Sequence, residues 1–474
     1  MKNIGILHYQ VGRMDGVSLE IEKWKRVLEA LGHRVYFAAG DLSTEEGTLI
    51  EEMYHLRPEV VRLYRSTFES LDGYPTEAAY RAELWRLASV LEEKLKAFVE
   101  EKEIDLLIPE NVWSVAVNPS LSIALTRVIR EMQVQALAHH HDFYWEREHG
   151  VALSCSTAVE MADKYLPPRD PLARHVVINS LAQQELAARK GIPAGIVPNV
   201  FDFEAPPWRL DDYNRDFRAR IGLGPSDVLI LQATRITPRK GIELAADFVQ
   251  VLDTDRYRAQ LEAQGLYDGR PFGPENRIVL VIAGYARDDL TGDYVDRLKA
   301  RIAQTGIEAL FIEDLIEGRR QTRGGEKVYS LWDAYVFADF VTYPSLDEGW
   351  GNQFLEAVYA RMPLLLFEYP VYRADIKPKG FRTVSLGADL EGEDAQGLAQ
   401  VTPEKLEAAA EEAVALLTNR QQRQAMVDHN FELGRRHFSL QTLETCLEQL
   451  VGDGHGAATA TSDAAQQAIE VMPD

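Results

Sequence analysis

The chain has 474 residues, 46% of them hydrophobic, and a formal net charge of −23, which suits two globular domains of roughly 200 residues each. That charge excludes a nucleic-acid surface, which needs a basic face for the phosphates, and it disfavours broad docking on anionic lipid. No window approaches the ~20 apolar residues of a membrane helix, the N-terminus does not read as a signal peptide, and Cys155 and Cys446 stand far apart without a ligand or disulfide spacing, so a soluble cytoplasmic protein is expected.

In chain order, KNIGILHY reads as a first strand and is followed by a loop containing Gly12 and Gly16. An amphipathic helix then runs from Leu19 to Leu31, Gly32 ends it, and RVYFAAG starts the next strand. IDLLIPE, VQALAHHHDF and HVVINS are short apolar runs typical of buried parallel strands, each followed by helical sequence. The Pro- and Gly-rich stretch from Gly191 to Trp208 has no helical period and predicts a domain junction. A second cycle follows, with strand-like DVLILQATRI, RIVLVIAGYA, ALFIEDLI, DFVTYPS and MPLLLFE. The expected fold is α/β, with two doubly wound Rossmann-like domains and ligands at the carboxyl ends of their strands, facing a cleft between the domains. The predicted boundaries are 1–204 and 205–436, then a helix within 437–452 and a tail, 453–474, whose small polar composition predicts disorder.

The densest chemical signal is the segment from Ser345 to Pro363, SLDEGWGNQFLEAVYARMP. Glu348 falls in the turn after a strand, and Glu356 falls about two helical turns later, where it can face the same side. Gly349 and Gly351 let the backbone approach a ligand, while the new helix offers unpaired N–H groups. Two carboxylates so placed can accept hydrogen bonds from two sets of vicinal hydroxyls. Upstream, LQATRITPRKGIELAADF sets Arg235 at a strand end and Lys240 in the loop before a helix, a cationic site for a diphosphate. The two segments together describe a nucleotide diphosphate joined to a sugar.

The segments IVPNVFDFE, TRITPRKGIE, VIAGYA and YPSLDEGWGNQFLEA resemble the retaining glycosyltransferases of family 4, a GT-B group that includes sucrose-phosphate and trehalose synthases. VGRMDGVSLEI and AHHHDFYWER match the same group more loosely. The resemblance implies a hexosyltransferase that takes a UDP-, GDP- or ADP-hexose as donor and retains anomeric configuration. Arg235 and Lys240 would hold the diphosphate, Glu356 the ribose, and Glu348 the transferred sugar. The loop from Gly12 to Gly16 would close over the donor diphosphate or shape the acceptor pocket, and Gly349, Trp350, Gly351 and Asn352 would complete the donor pocket. Residues 1–204 would bind the acceptor and 205–436 the donor, with the last helix crossing back to the first domain. The chain departs from the family's common EGFGL at Trp350 and Asn352, and Arg361-Met362-Pro363 replaces its usual Gly before Pro.

His139, His140 and His141, followed by Asp142, end the strand VQALA. Three consecutive histidines point in different directions, so no metal site is expected from them. By resemblance, one histidine would contact the reacting sugar, His141 first and His139 as the alternative, with His139 and His140 otherwise beside the acceptor. Glu110 and Asn111, after IDLLIP, are a further acceptor contact, and Phe143, Tyr144 and Trp145 a candidate stacking wall. Asp253-Thr254-Asp255 has a metal-binding DxD pattern, yet it follows a helix in a polar stretch and reads as a capped turn. The spacing from Gly12 to Gly16 is not a dinucleotide fingerprint. No cofactor is required, because fixed cations can do the work of a metal on the leaving group; magnesium is compatible but not implied. The partners expected are a nucleotide sugar and a small soluble acceptor such as a sugar, sugar phosphate or glycerate-like molecule, with homo-oligomerisation left open. A phosphorylase, a nucleotide-sugar epimerase and a non-catalytic nucleotide-sugar-binding module stand as the alternatives.

Overall fold

In the computed structural model, which describes residues 1–12, 16–43, 46–146, 152–285 and 293–452, the apolar runs of the sequence become strands of two parallel sheets. The whole of the predicted tail, 453–474, lies outside the described residues, as do 13–15 between Gly12 and Gly16. The chain divides into two units, Met1–Val200 with the chain from Leu440 on, and Phe201–Ser439.

The first unit is built on β1 (Asn3–His8), β2 (Arg34–Ala39), β3 (Thr48–Leu49), β4 (Leu106–Pro109), β5 (Gln135–His140), β6 (Ala173–Val177) and β7 (Gly195–Ile196), in the order β3-β2-β1-β4-β5-β6-β7. Every pairing is parallel. Both faces are covered, and strand alternation sorts the residues between them. Leu7, Leu107, Ala136 and Ala138 join one core with the helices Glu77–Glu101 and Pro119–Met132. Ile6, Leu106, Ile108 and Leu137 join the other with Trp24 of the helix Gly16–Ala30 and with Leu443 and Leu447 of the helix Leu440–Gly452. Each large apolar side chain buried this way contributes roughly 1.5–3 kcal/mol.

The second unit repeats the plan with β8 (Val228–Gln232), β9 (Ile278–Ile282) and β10 (Glu308–Phe311). A small sheet follows, β11 (Ile316–Glu317), β12 (Gln321–Arg323) and β13 (Glu326–Ser330), before β14 (Phe340–Tyr343), β15 (Leu364–Leu366) and β16 (Val384–Ser385) return to the main one. The order β10-β9-β8-β14-β15-β16 is again all parallel. The strand order reverses beside β8, so the loops after β8 and β14 leave the same edge on either side of a switch point, where open α/β sheets bind ligands. Asp253 ends the helix Ile242–Leu252, Thr254 precedes the helix Asp255–Gln264, and Arg258 pairs with Asp253 at 2.6 Å, so the DxD pattern is a turn between helices. Among the described residues no helix is long and apolar enough to cross a membrane.

Candidate functional site

Lys240 and Glu348 lie far apart in sequence, yet β8 and β14 are parallel neighbours and their loops meet. Pro238–Lys240 form one 3-10 turn, ended by Gly241 in the left-handed region at φ 56°. A Cβ at Gly241 would stand 2.6 Å from the carbonyl oxygen of Pro344, so only glycine lets the two loops approach this closely. The Leu346 amide donates to the Arg239 carbonyl at 2.8 Å and ties them together. Glu348 is thereby clamped between two cations: Lys240 Nζ donates to Oε1, and Arg239 donates to Oε2 at 3.0 Å.

Lys240 and Glu348 are both buried, so each charge has lost most of its hydration. Burial pushes the Lys240 ammonium below its ordinary value, and Glu348 only partly restores it. Burial would raise the Glu348 carboxyl, but Lys240 and Arg239 outweigh it and hold the group below the usual range. Arg235 is exposed, and its charge reaches Lys240, depressing the ammonium further. Glu348 thus has Lys240 and Arg239 as direct partners, with the charge of Arg235 acting on Lys240 as well.

Glu356 projects from the helix Asn352–Tyr359, half-buried, and accepts from Tyr335 Oη at 3.1 Å. Gly351 begins that helix at φ 113°, and a Cβ there would fall 2.2 Å from Tyr369 Oη. Gly351 stands at the N-cap and makes no side-chain cap there. Asn352 opens it, with Gly349 in the turn before. Trp350 is buried edge-on against Phe438, ring centres 5.2 Å apart. A cavity of about 600 Å³ lies elsewhere in this unit, between Trp208, Tyr335, Tyr359 and Phe431. It contains none of Arg235, Arg239, Lys240 or Glu348, and the charge cluster, not the cavity, marks the candidate site.

In the first unit, Glu110 follows β4 and bridges to His139 of β5. Alternation puts His139 and His141 on one side of the strand and His140 on the other. Glu110 Oε2 lies 2.9 Å from His139 Nδ1 and 3.0 Å from His141 Nε2. All three side chains are buried. Burial works against the Glu110 charge, but the two imidazoles hold the carboxyl well below its usual range. The divergence expected of the three histidines therefore applies to His140 alone, whose Nε2 lies 2.9 Å from His175 Nδ1. Asn111 sits at φ 55°, and its side-chain oxygen accepts from the backbone N–H of His141 at 2.7 Å, so it shapes the turn after β5. Phe143 and Trp145 stack with ring centres 4.4 Å apart. Gly12 has φ 73°, and Gly16 opens the helix beyond.

No protein-family model matches the chain. Over 450 residues it is 39% identical to the mannosylglucosylglycerate synthase of Thermotoga maritima, covering 94% of this chain and 99% of that protein. The chain belongs to the mannosylglucosylglycerate synthase family. A second member, from Petrotoga mobilis, is 36% identical over 438 residues, 92% of this chain and 98% of its own. In fold, the family member described here resembles sucrose-phosphate synthase from Thermosynechococcus elongatus (TM-score 0.56, 14% identity, 95% of this chain and 98% of that one). It also resembles the trehalose 6-phosphate synthase of Burkholderia multivorans (TM-score 0.53, 14% identity, 100% and 99%). These are GT-B folds, and this mannosylglucosylglycerate synthase family member is a GT-B glycosyltransferase, moving a sugar from a nucleotide sugar to a small acceptor.

Two features of this family member escape sequence reasoning. Arg239 is adjacent to Lys240, and nothing in TPRKG says which of two neighbouring cations will face Glu348; the 3-10 turn lets both do so. The pairing of Glu110 with His139 and His141 depends on the neighbourhood of β4 and β5, for which the only sequence signal is that both runs end in polar residues.

Proposed function

We propose that this enzyme forms mannosylglucosylglycerate, transferring a mannosyl group from a nucleoside-diphosphate mannose to a glucosylglycerate acceptor. The 39% identity across 94% of the chain carries the substrate assignment. The donor belongs to the unit with Lys240 and Glu348, and the acceptor to the unit with Glu110 and His141. Lys240, Arg239 and Arg235 take the diphosphate, and the charge that grows on it as the glycosidic bond breaks is met by cations already in place. Glu356 binds the ribose, and Glu348 binds the hydroxyls of the transferred sugar while keeping Lys240 and Arg239 oriented. His141 faces the sugar. Transfer retains configuration, with the departing phosphate helping to remove the acceptor proton, and no magnesium on the diphosphate is needed.

The test is product analysis by mass spectrometry, with each nucleoside-diphosphate hexose paired in turn with glucosylglycerate and glycerate. A mannosylated glucosylglycerate formed from a mannosyl donor is the expected result. Sugar 1-phosphate release by inorganic phosphate, donor epimerisation without acceptor, or donor binding without turnover would each overturn the assignment.

A further inference from the structure

Glu110, His139 and His141 have an arrangement that hydrogen bonding does not account for. One oxygen, Glu110 Oε2, takes both close approaches, while Oε1 has no hydrogen-bond partner among the described residues. The His139 Nδ1 contact is short at 2.9 Å but is not aligned as a hydrogen bond, and Nε2 of the same ring also lacks a partner. The ring is fixed all the same, stacked on Trp24 with centres 4.3 Å apart. A wholly buried carboxylate and a wholly buried imidazole with three polar atoms left unsatisfied are costly unless something else satisfies them.

A cation would. Atoms that ligate one ion at about 2.1 Å stand roughly 3.0–3.4 Å from each other in octahedral or tetrahedral geometry. The two measured separations are 2.9 and 3.0 Å, and the three ligand atoms all lie within 4.8 Å of one another. A further carboxylate acts on the two imidazoles. Glu20, buried on the adjacent helix, is near enough for its charge to act on both imidazoles, and Lys23 is the cation paired with it. We propose that Glu110, His139 and His141 form a three-ligand site for a divalent first-row transition-metal ion. Two imidazoles and one carboxylate suit zinc, cobalt, manganese or iron(II) better than magnesium or calcium, which prefer all-oxygen shells. The remaining coordination positions are open to water or to an oxygen of a bound molecule. The site lies wholly within the first unit; Glu110 and His141 are also the residues given to the acceptor and the sugar above, and metal retention without nucleotide sugar is read separately from that assignment.

The experiment uses the full chain, stripped with a chelator and loaded with Co²⁺ or Zn²⁺ in the absence of nucleotide sugar. After desalting, the metal content is measured together with the visible absorption of the cobalt form. The wild-type chain is expected to retain about one ion per chain, with a cobalt band showing nitrogen ligation, while Glu110→Gln and His139→Asn weaken binding at least about tenfold. No retained metal in the wild type, or equal retention in folded variants, overturns the site. Should the variants not fold, X-ray absorption on the zinc-loaded wild type decides. Two imidazole nitrogens and a carboxylate oxygen at about 2.0–2.2 Å support it, and any other shell overturns it.

Discussion

Glu348 is a buried carboxylate shared by two cations, one on each oxygen, and it makes Lys240 the most informative residue to change. Replacing Lys240 with Ala removes a charge that matters most when the diphosphate departs. Steady-state kinetics should show kcat falling on the order of 10²-fold while the acceptor KM moves much less; unchanged turnover would remove the leaving-group role. Arg239→Ala should cost less, because Arg239 is half-exposed and water can partly replace it, and a loss equal to that of Lys240→Ala would reverse this ranking. Glu348 and Lys240 were legible as strand-end residues beside glycines, whereas Arg239 was not, since its role comes from the turn and not from its type.

The loops that carry these residues depend on glycines at a few points of close approach. Gly351 combines φ 113° with a neighbour 2.2 Å from any added Cβ, so Gly351→Ala should destabilise the fold by about 2 kcal/mol or more. A shift of the urea midpoint would report it, and an unchanged midpoint would mean that Tyr369 moves aside freely. At Gly284 a Cβ would meet the Thr234 carbonyl oxygen at 1.6 Å, which lies just before Arg235. Gly284→Ala should therefore displace the loop after β8 and weaken donor binding in calorimetry; wild-type affinity would separate that loop from the donor site. Parallel strands, their order along the chain and the helix-starting turn at Gly351 could be read from apolar runs and glycine spacing. The 3-10 turn at Pro238–Lys240 could not, because it is imposed by the loop from β14 packed against it.

At the scale of the whole chain, two histidines link stability to pH. Burial lowers His175 from its ordinary 6.5 to about 4, and burial, with Lys379 and Arg436 adding to it, lowers His437 from 6.5 to about 4. Between those values the unfolded chain binds protons that the folded chain refuses, so stability contributed by both groups is present above pH 6.5 and is lost as pH falls towards 4. Urea midpoints measured from pH 7 down to 4.5 should fall less steeply in His437→Asn than in the wild type, and parallel slopes would show that His437 is not a contributor. The sequence by itself determined that this chain makes two parallel α/β sheets with carboxylates and cations at their strand ends, because apolar periodicity and glycine placement are local properties of the backbone repeat. Only the tertiary structure decided that Arg239 joins Lys240 on Glu348, and that Glu110 meets His139 and His141 but not His140. Those encounters depend on which strands become neighbours and how closely their loops pack, and that is settled by burial over an entire sheet.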